Sequence, residues 1–258
     1  MTENKPDPCG DEFVAKMRAA DLPEEAIESF VFHLHRYLDG DTGTLGRDEI
    51  APISSLPEAE GFSDFTKAGG AALGRAAVIK LNGGLGTGMG LDRAKSLLEV
   101  RSGLSFLDLI ARQMQALRRS TGTAVPLLLM NSFRTQQDSN HVLERYPELS
   151  TDRAPLDFLQ HRIPKILVDG QVPATHPADA DLEWCPPGHG DLYTALRTSG
   201  VLRRLLDAGI DYAFVSNADN LGAVLDPSLL GYMIEHDLGF MMEAADRTAA
   251  DRKGGHLC

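Results

Sequence analysis

Two hydrophobic rhythms divide this chain. Over residues 11–39 the apolar positions recur at helical spacing. Phe13, Val14 and Met17 share one face, and Ile27, Phe30, Val31, Leu34 and Leu38 form a second stripe. Between them Pro23 precedes Glu24 and Glu25, the order that suits a helix start and its positive end. Residues 40–46 read as a turn, and residues 41–72, with Pro52 and Pro57, are mixed and rich in loop formers. From residue 76 the pattern changes. Continuous apolar runs at 76–81, 125–130 and 211–216 read as strands buried on both faces. Residues 96–100 (SLLEV) and 239–245 (GFMMEAA) also read as strands, the latter leading into the start of a hairpin. Amphipathic stretches at 105–119, 135–146, 191–207 and 227–237 predict helices, and Ser105 with Asp108 three residues on predicts a capping box. This alternation predicts an α/β fold with a mostly parallel central sheet. A small N-terminal helical appendage, 1–72, precedes a main domain, 73–258.

In such sheets ligands sit beyond the carboxyl ends of the strands. A glycine-rich loop follows the first run, Asn131 the second, and Asn217 to Asp219 the third, so three polar clusters fall on one edge. Composition narrows the partners. Asp+Glu 37 against Lys+Arg 25 gives a net charge of −12, which disfavours nucleic acid or an anionic membrane. The balance reverses locally: residues 76–103 carry Lys80, Arg93, Lys95 and Arg101 against Asp92 and Glu99. Nearby charges, not the total, set the field at a site. Cys9, Cys185 and Cys258 are too scattered for a disulfide framework, which fits a reducing cytoplasm. The N-terminus lacks the apolar core of a secretory signal, and no apolar run approaches the ~18 residues of a membrane span.

The loop after the first run has glycine at 83, 84, 86, 88 and 90, followed by Lys95. So many glycines cost backbone entropy and leave bare N–H groups free to approach phosphate oxygens. The P-loop pattern GxxxxGK[ST] is absent, and GxGxxG fails because Met89 and Leu91 stand where its third glycine would fall. Lys95 would add a compact positive charge to this cradle. Asp219, just past a buried strand, is placed to hold Mg²⁺, which takes few protein ligands; the alternative is a helix or turn cap. Asn217 could equally form an Asx turn. His33 and His35 diverge on their helix and cannot share a metal; there is no HExxH and no GxSxG. Cys185 reads as structural and Trp184 as a packing anchor.

LNGGLGTGMG with Lys95 resembles the signature of the eukaryotic-type UTP–glucose-1-phosphate uridylyltransferase (UDP-glucose pyrophosphorylase) family. MNSFRTQQD, FLQHRIPKI, WCPPGHGDLY and FVSNADNLGA are similar to further family segments, in the same order. The related N-acetylhexosamine enzymes tend to carry alanine and arginine where this chain has Asn82 and Met89. The resemblance implies a Rossmann-like nucleotidyltransferase domain that forms UDP-glucose and pyrophosphate from UTP and glucose 1-phosphate with Mg²⁺. It assigns catalysis to Lys95 and Asp219, with Asp219 the metal ligand. It places UTP on Leu81, Asn82, Gly83, Gly84, Lys95, Gln160 and Gly188. The sugar phosphate falls on Gly83, Gly84, His189, Asn217, Ala218 and Asp219. It also implies more chain, including a further lysine, part of the sugar pocket and a C-terminal β-helix domain, so the chain reads as truncated. Two alternatives stay open: a pyrophosphorylase for N-acetylhexosamine or galactose phosphate, and a uridine-nucleotide-binding fragment with little turnover.

Overall fold

The computed structural model describes residues 8–53, 55–85, 93–246 and 248. Gly86, Gly88 and Gly90, and the expected hairpin at the far end, lie outside the described residues, apart from isolated positions at that end. The helices are α1 (Pro8–Ala19), α2 (Glu24–Leu38), α3 (Thr66–Ala72), α4 (Phe106–Thr121), α5 (Gln136–Leu143), α6 (Leu192–Thr198), α7 (Val201–Asp207) and α8 (Pro227–Glu235). The strands are β1 (Ala76–Asn82), β2 (Glu99–Arg101), β3 (Leu104–Ser105), β4 (Leu127–Asn131), β5 (Asp157–Leu159), β6 (Ile163–Pro164), β7 (Trp184–Cys185) and β8 (Tyr212–Asn217).

The main sheet has the order β5-β4-β1-β8, and every pairing in it is parallel. The helices between its strands make the fold α/β, as the hydrophobic alternation predicts. β1 and β4 are buried at almost every position. Ala77, Ile79, Leu128 and Met130 enter one core with Phe158, Leu192, Ala195 and Leu205. α4 starts as expected: the Ser105 hydroxyl accepts from Asp108 N, and the Asp108 carboxylate accepts from Ser105 N. α2 buries Ile27, Phe30 and Leu34 against Phe13, Met17 and Trp184, so Trp184 is the packing anchor the sequence suggests.

Several expectations need correction. β8 is not buried on both faces: Ala213, Val215 and Asn217 are exposed in alternation with half-buried neighbours. It stands at the sheet margin, where among the described residues only β1 pairs with it. The helix expected over 191–207 is two helices, because Gly200 between them takes a left-handed φ of 76°. Residues 95–97 form a 3₁₀ turn before the short β2, which pairs antiparallel with β3. Residues 239–245 form no strand: the run has no ladder partner among the described residues, and Phe240 and Met242 are exposed. An extended segment without a neighbour has nowhere but water to satisfy its N–H and C=O groups.

Contacts group the chain into two units, and the grouping is not a single cut after residue 72. The described residues of 1–39 and 74–224 form one, and those of 40–73 and 225–258 the other. The N-terminal helices therefore belong with the sheet, because their apolar stripes close over Trp184. The second unit is built on α3 and α8. A Cβ on Gly69 would lie 1.7 Å from the Pro227 carbonyl oxygen, and one on Gly231 2.0 Å from that of Phe65. Phe62 stacks on Tyr232 at 4.0 Å. Both obstructing atoms are backbone and cannot swing aside. Gly231→Ala should therefore destabilise this unit by about 1–3 kcal/mol, the usual cost of overpacking. Hydrogen exchange would register it as faster exchange of α3 and α8 amides; unchanged protection would show that the glycine contact is dispensable.

Candidate active site

The register of the sheet assembles the site. Asn82 lies opposite Asn131, Leu81 opposite Asn217, and Asn131 opposite Leu159, so four parallel strands end on one line. Beneath that edge runs a buried polar network. Asn82 Nδ2 donates to Asn131 Oδ1 and to Ser139 Oγ, both at 2.7 Å. Asn131 Nδ2 and Gln136 Nε2 both donate to Asp157 Oδ2, at 3.2 and 2.7 Å. Buried amides need such partners, and a satisfied network holds one geometry.

Lys95 returns to this edge through a narrow neck. Leu85 and Ala94 form an antiparallel bridge, and Lys95 N donates to the Gly84 carbonyl at 3.1 Å. Lys95 Nζ then lies 3.7 Å from Asp219 Oδ2. Both side chains are nearly half exposed, so this pair is weak and easily exchanged for a ligand's charges. Asp219 follows Ala218, whose N–H donates to the Leu81 carbonyl at 3.0 Å. The Asx turn in this segment is made by Asn220, whose side chain accepts from Gly222 N and Ala223 N; no such bond engages Asn217 or Asp219. One cleft is lined by Leu81, Asn82, Gly84, Lys95, Ser96 and His189 together with Asn217, Ala218 and Asp219.

Of the expected site residues, Gly83, Gln160 and Gly188 lie off that lining. Gly83 and Gln160 touch: a Cβ on Gly83 would sit 2.2 Å from Gln160 Nε2, so a larger residue there would displace the amide from its present position. Gln160 N donates to the Asn131 carbonyl at 2.8 Å, which ties the glutamine to the sheet edge. Gly188 has φ 102°, which favours glycine, and turns the chain so that the 3₁₀ helix of His189–Asp191 opens beside the cleft. Asn82 meets the cleft with its amide hydrogens already committed, which leaves its backbone for a ligand. Cys185 is half buried and its thiol is pushed up by burial, the reverse of an activated nucleophile.

Sequence reasoning missed three features. The His161 ring Nδ1 and backbone N both donate to the Asp191 carboxylate, at 2.8 and 2.6 Å, clamping the Gln160 segment to the His189 turn. The ring's Nε2 lies 3.0 Å from Thr198 Oγ1, an Asp–His–Thr line that suggests a nucleophile. Thr198 Oγ1 also lies 2.9 Å from the Thr194 carbonyl within α6, so two acceptors share the reach of its one proton. Second, Ser96 lines the cleft with its hydroxyl buried and, among the described residues, without a partner. Third, Lys80 is 2% exposed and does not face the cleft as the local charge count assumed. Its Nζ donates to Ser216 Oγ and to the Ala223 carbonyl, both at 2.7 Å. The Asn82 and Lys80 roles have no sequence signal, since both depend on which strand lies alongside.

Among the described residues no three His, Cys, Asp or Glu side chains gather to cage a metal. Asp219 nonetheless fits Mg²⁺, which binds through one or two carboxylates and completes its shell with water and phosphate. No helix among the described residues is long and apolar enough to cross a membrane.

A family model described as UTP–glucose-1-phosphate uridylyltransferase matches residues 27–258. The probable UTP–glucose-1-phosphate uridylyltransferase of Schizosaccharomyces pombe is 40% identical over 239 residues, covering 91% of this chain and 47% of that protein. The Saccharomyces cerevisiae UTP–glucose-1-phosphate uridylyltransferase is 47% identical over 187 residues, covering 72% of this chain and 37% of its own length. The crystal structure of UDP-glucose phosphorylase from Trypanosoma brucei superposes with a TM-score of 0.87 at 43% identity, covering 97% of this chain and 52% of that one. A mutant of UDP-glucose pyrophosphorylase from Leishmania major in complex with UDP-Glc gives 0.87 at 38%, with the same coverage. The chain spans about half the length of the curated relatives it matches.

Lys80 generates a pH prediction. Burial pushes its ammonium from 10.5 down to about 8. Below about pH 8 lysine is charged in both folded and unfolded chains, and the burial penalty is present in full. Between about 8 and 10.5 the unfolded chain binds the extra proton, so stability rises with pH. Urea unfolding should show the parent gaining on Lys80→Met across that window, by up to ~1.4 kcal/mol per pH unit. Parallel stability curves would show that the ammonium is not held against burial.

Proposed function

Because the chain belongs to the UTP–glucose-1-phosphate uridylyltransferase family, we propose that its cleft binds UTP and supports transfer of the uridylyl group to glucose 1-phosphate, releasing pyrophosphate. The observation that carries this reading is the convergence of Lys95, Asp219, Gly84 and His189 on one cleft at the ends of β1 and β8. The uracil end falls to Gln160 with Gly83 and Gly188. The phosphates fall to Leu81, Asn82, Gly83, Gly84 and Lys95. The sugar phosphate falls to His189, Asn217, Ala218 and Asp219, with the backbone of Gly83 and Gly84.

The chemistry suits a site with no activated nucleophile. A phosphate monoester, with its second pKa about 6, is already mostly dianionic at neutral pH. Its oxygen attacks the α-phosphorus of UTP, and the bond to pyrophosphate breaks; no proton need be removed. The barrier is repulsion between polyanions, so catalysis is positioning and charge neutralisation. Lys95 exchanges its loose pairing with Asp219 for the α-phosphate. Asp219, released from that pairing, would hold Mg²⁺, which would supply positive charge to the phosphates. One phosphoanhydride replaces another, so the reaction runs in both directions. A reducing, cytoplasmic setting fits the free cysteine and the substrates.

Calorimetry with UTP and UDP-glucose beside a pyrophosphate-release assay tests this. Binding with release supports the enzyme; binding without release removes the transfer step and assigns nucleotide holding alone to this chain; the absence of both binding and release defeats the proposal. Where turnover is measurable, Lys95→Ala should lower it by roughly 10²–10³, the cost of losing one preorganised electrostatic group. Asp219→Asn should flatten the Mg²⁺ titration. Parental turnover in the Lys95→Ala variant would remove Lys95 from the chemistry.

A further inference from the structure

Lys80 is a buried cation that the proposed reaction leaves unused, and burying an ammonium costs more than burying an apolar side chain of its size. Packing alone does not account for it. Its place in the register does suggest a role. Lys80 pairs with Ser216 across β1 and β8, and its Nζ reaches both the Ser216 hydroxyl and the Ala223 carbonyl. Those two acceptors bracket the segment that carries Asn217, Ala218 and Asp219. Among the described residues β8 pairs only with β1. The segment is held by Lys80 at both ends, by Ala218 N on the Leu81 carbonyl, and by Gln113 Nε2 on the Leu221 carbonyl at 2.9 Å.

We propose that Lys80 is a positioning residue: by tying Ser216 to Ala223 it closes the Asp219 segment into a fixed loop and sets where that carboxylate stands in the cleft. The proposal rests on the reading of Asp219 as a ligand-binding carboxylate. Lys80 touches neither nucleotide nor metal; its effect reaches the ligand only through the loop.

A double-mutant cycle on this chain tests it, with MgUTP affinity read by calorimetry for the parent, Lys80→Met, Asp219→Asn and the double variant. Lys80→Met should weaken MgUTP by about tenfold, the loss of roughly one hydrogen bond's worth of preorganisation. In the Asp219→Asn background the same change should cost no more than about twofold, because the carboxylate it positions is gone. Equal losses in both backgrounds overturn the proposal, since a general loss of packing would act regardless of Asp219. Ser216→Ala removes one acceptor and should give a smaller loss with the same dependence on Asp219; it carries the cycle if Lys80→Met does not fold. A parent that binds no MgUTP overturns the functional reading and this proposal together. An Asp219→Asn variant with parental affinity overturns the metal role of Asp219, and with it the role given to Lys80.

Discussion

The parallel pairing of β1 with β4 on one side and β8 on the other is the constraint from which the rest follows. Parallel ladders start their strands from one end and finish them at the other, so every loop that leaves a carboxyl end emerges on the same edge. Here the pairing is in register to within one residue, which brings Asn82, Asn131, Asn217 and the start of the Gln160 segment onto one line. The buried amides of Asn82 and Asn131 then secure that line against slippage. Moving either strand by one residue would break hydrogen bonds among Asn82, Asn131, Ser139 and Asp157 that no water can replace.

An acidic protein proposed to hold a polyanion has to work locally. The net charge of −12 would repel UTP at a distance, and over more than about 10 Å salt screens it. Within the cleft the nearest ionised pair is Lys95 with Asp219, a weak contact between half-exposed groups. Such a pair keeps the lysine aimed into the cleft while leaving both charges free to change partners. A shorter, buried bridge in the same place would have to be broken at several kcal/mol before a ligand could bind.

Two polar groups run against stability. Lys80 buries an ammonium whose hydrogen-bond partners, Ser216 and Ala223, are neutral, and Ser96 keeps a buried hydroxyl with no partner among the described residues. Both cost stability, and such costs cluster at working sites. The contrast lies in the helix pair of the second unit, where Gly69 and Gly231 leave no room for a Cβ against facing backbone. That contact rests on close approach, whereas the sheet edge places polar groups.

Much of this was legible in the sequence. Long apolar runs read correctly as β1 and β4, and helical stripes as α1 and α2, because those signals are local and repeated. The order of loops after strands predicted that the polar clusters share one edge, and the motifs carried the family. What the sequence could not carry was anything set by a neighbour. Val215 looks as apolar as Ile79, yet β8 stands at the margin and Val215 is exposed, because burial depends on what lies alongside. Residues 239–245 have strand composition and no strand partner. Lys80 adds one positive charge to the local count, but Ser216 lies opposite it and takes its ammonium away from the cleft. The chain by itself determined its longest strands and amphipathic helices, the α4 cap and the residue types available for phosphate chemistry, since each rests on contacts a few positions apart. The tertiary structure alone decided which polar groups face the cleft and which brace it, because that turns on strand order, and strand order joins residues more than a hundred positions apart.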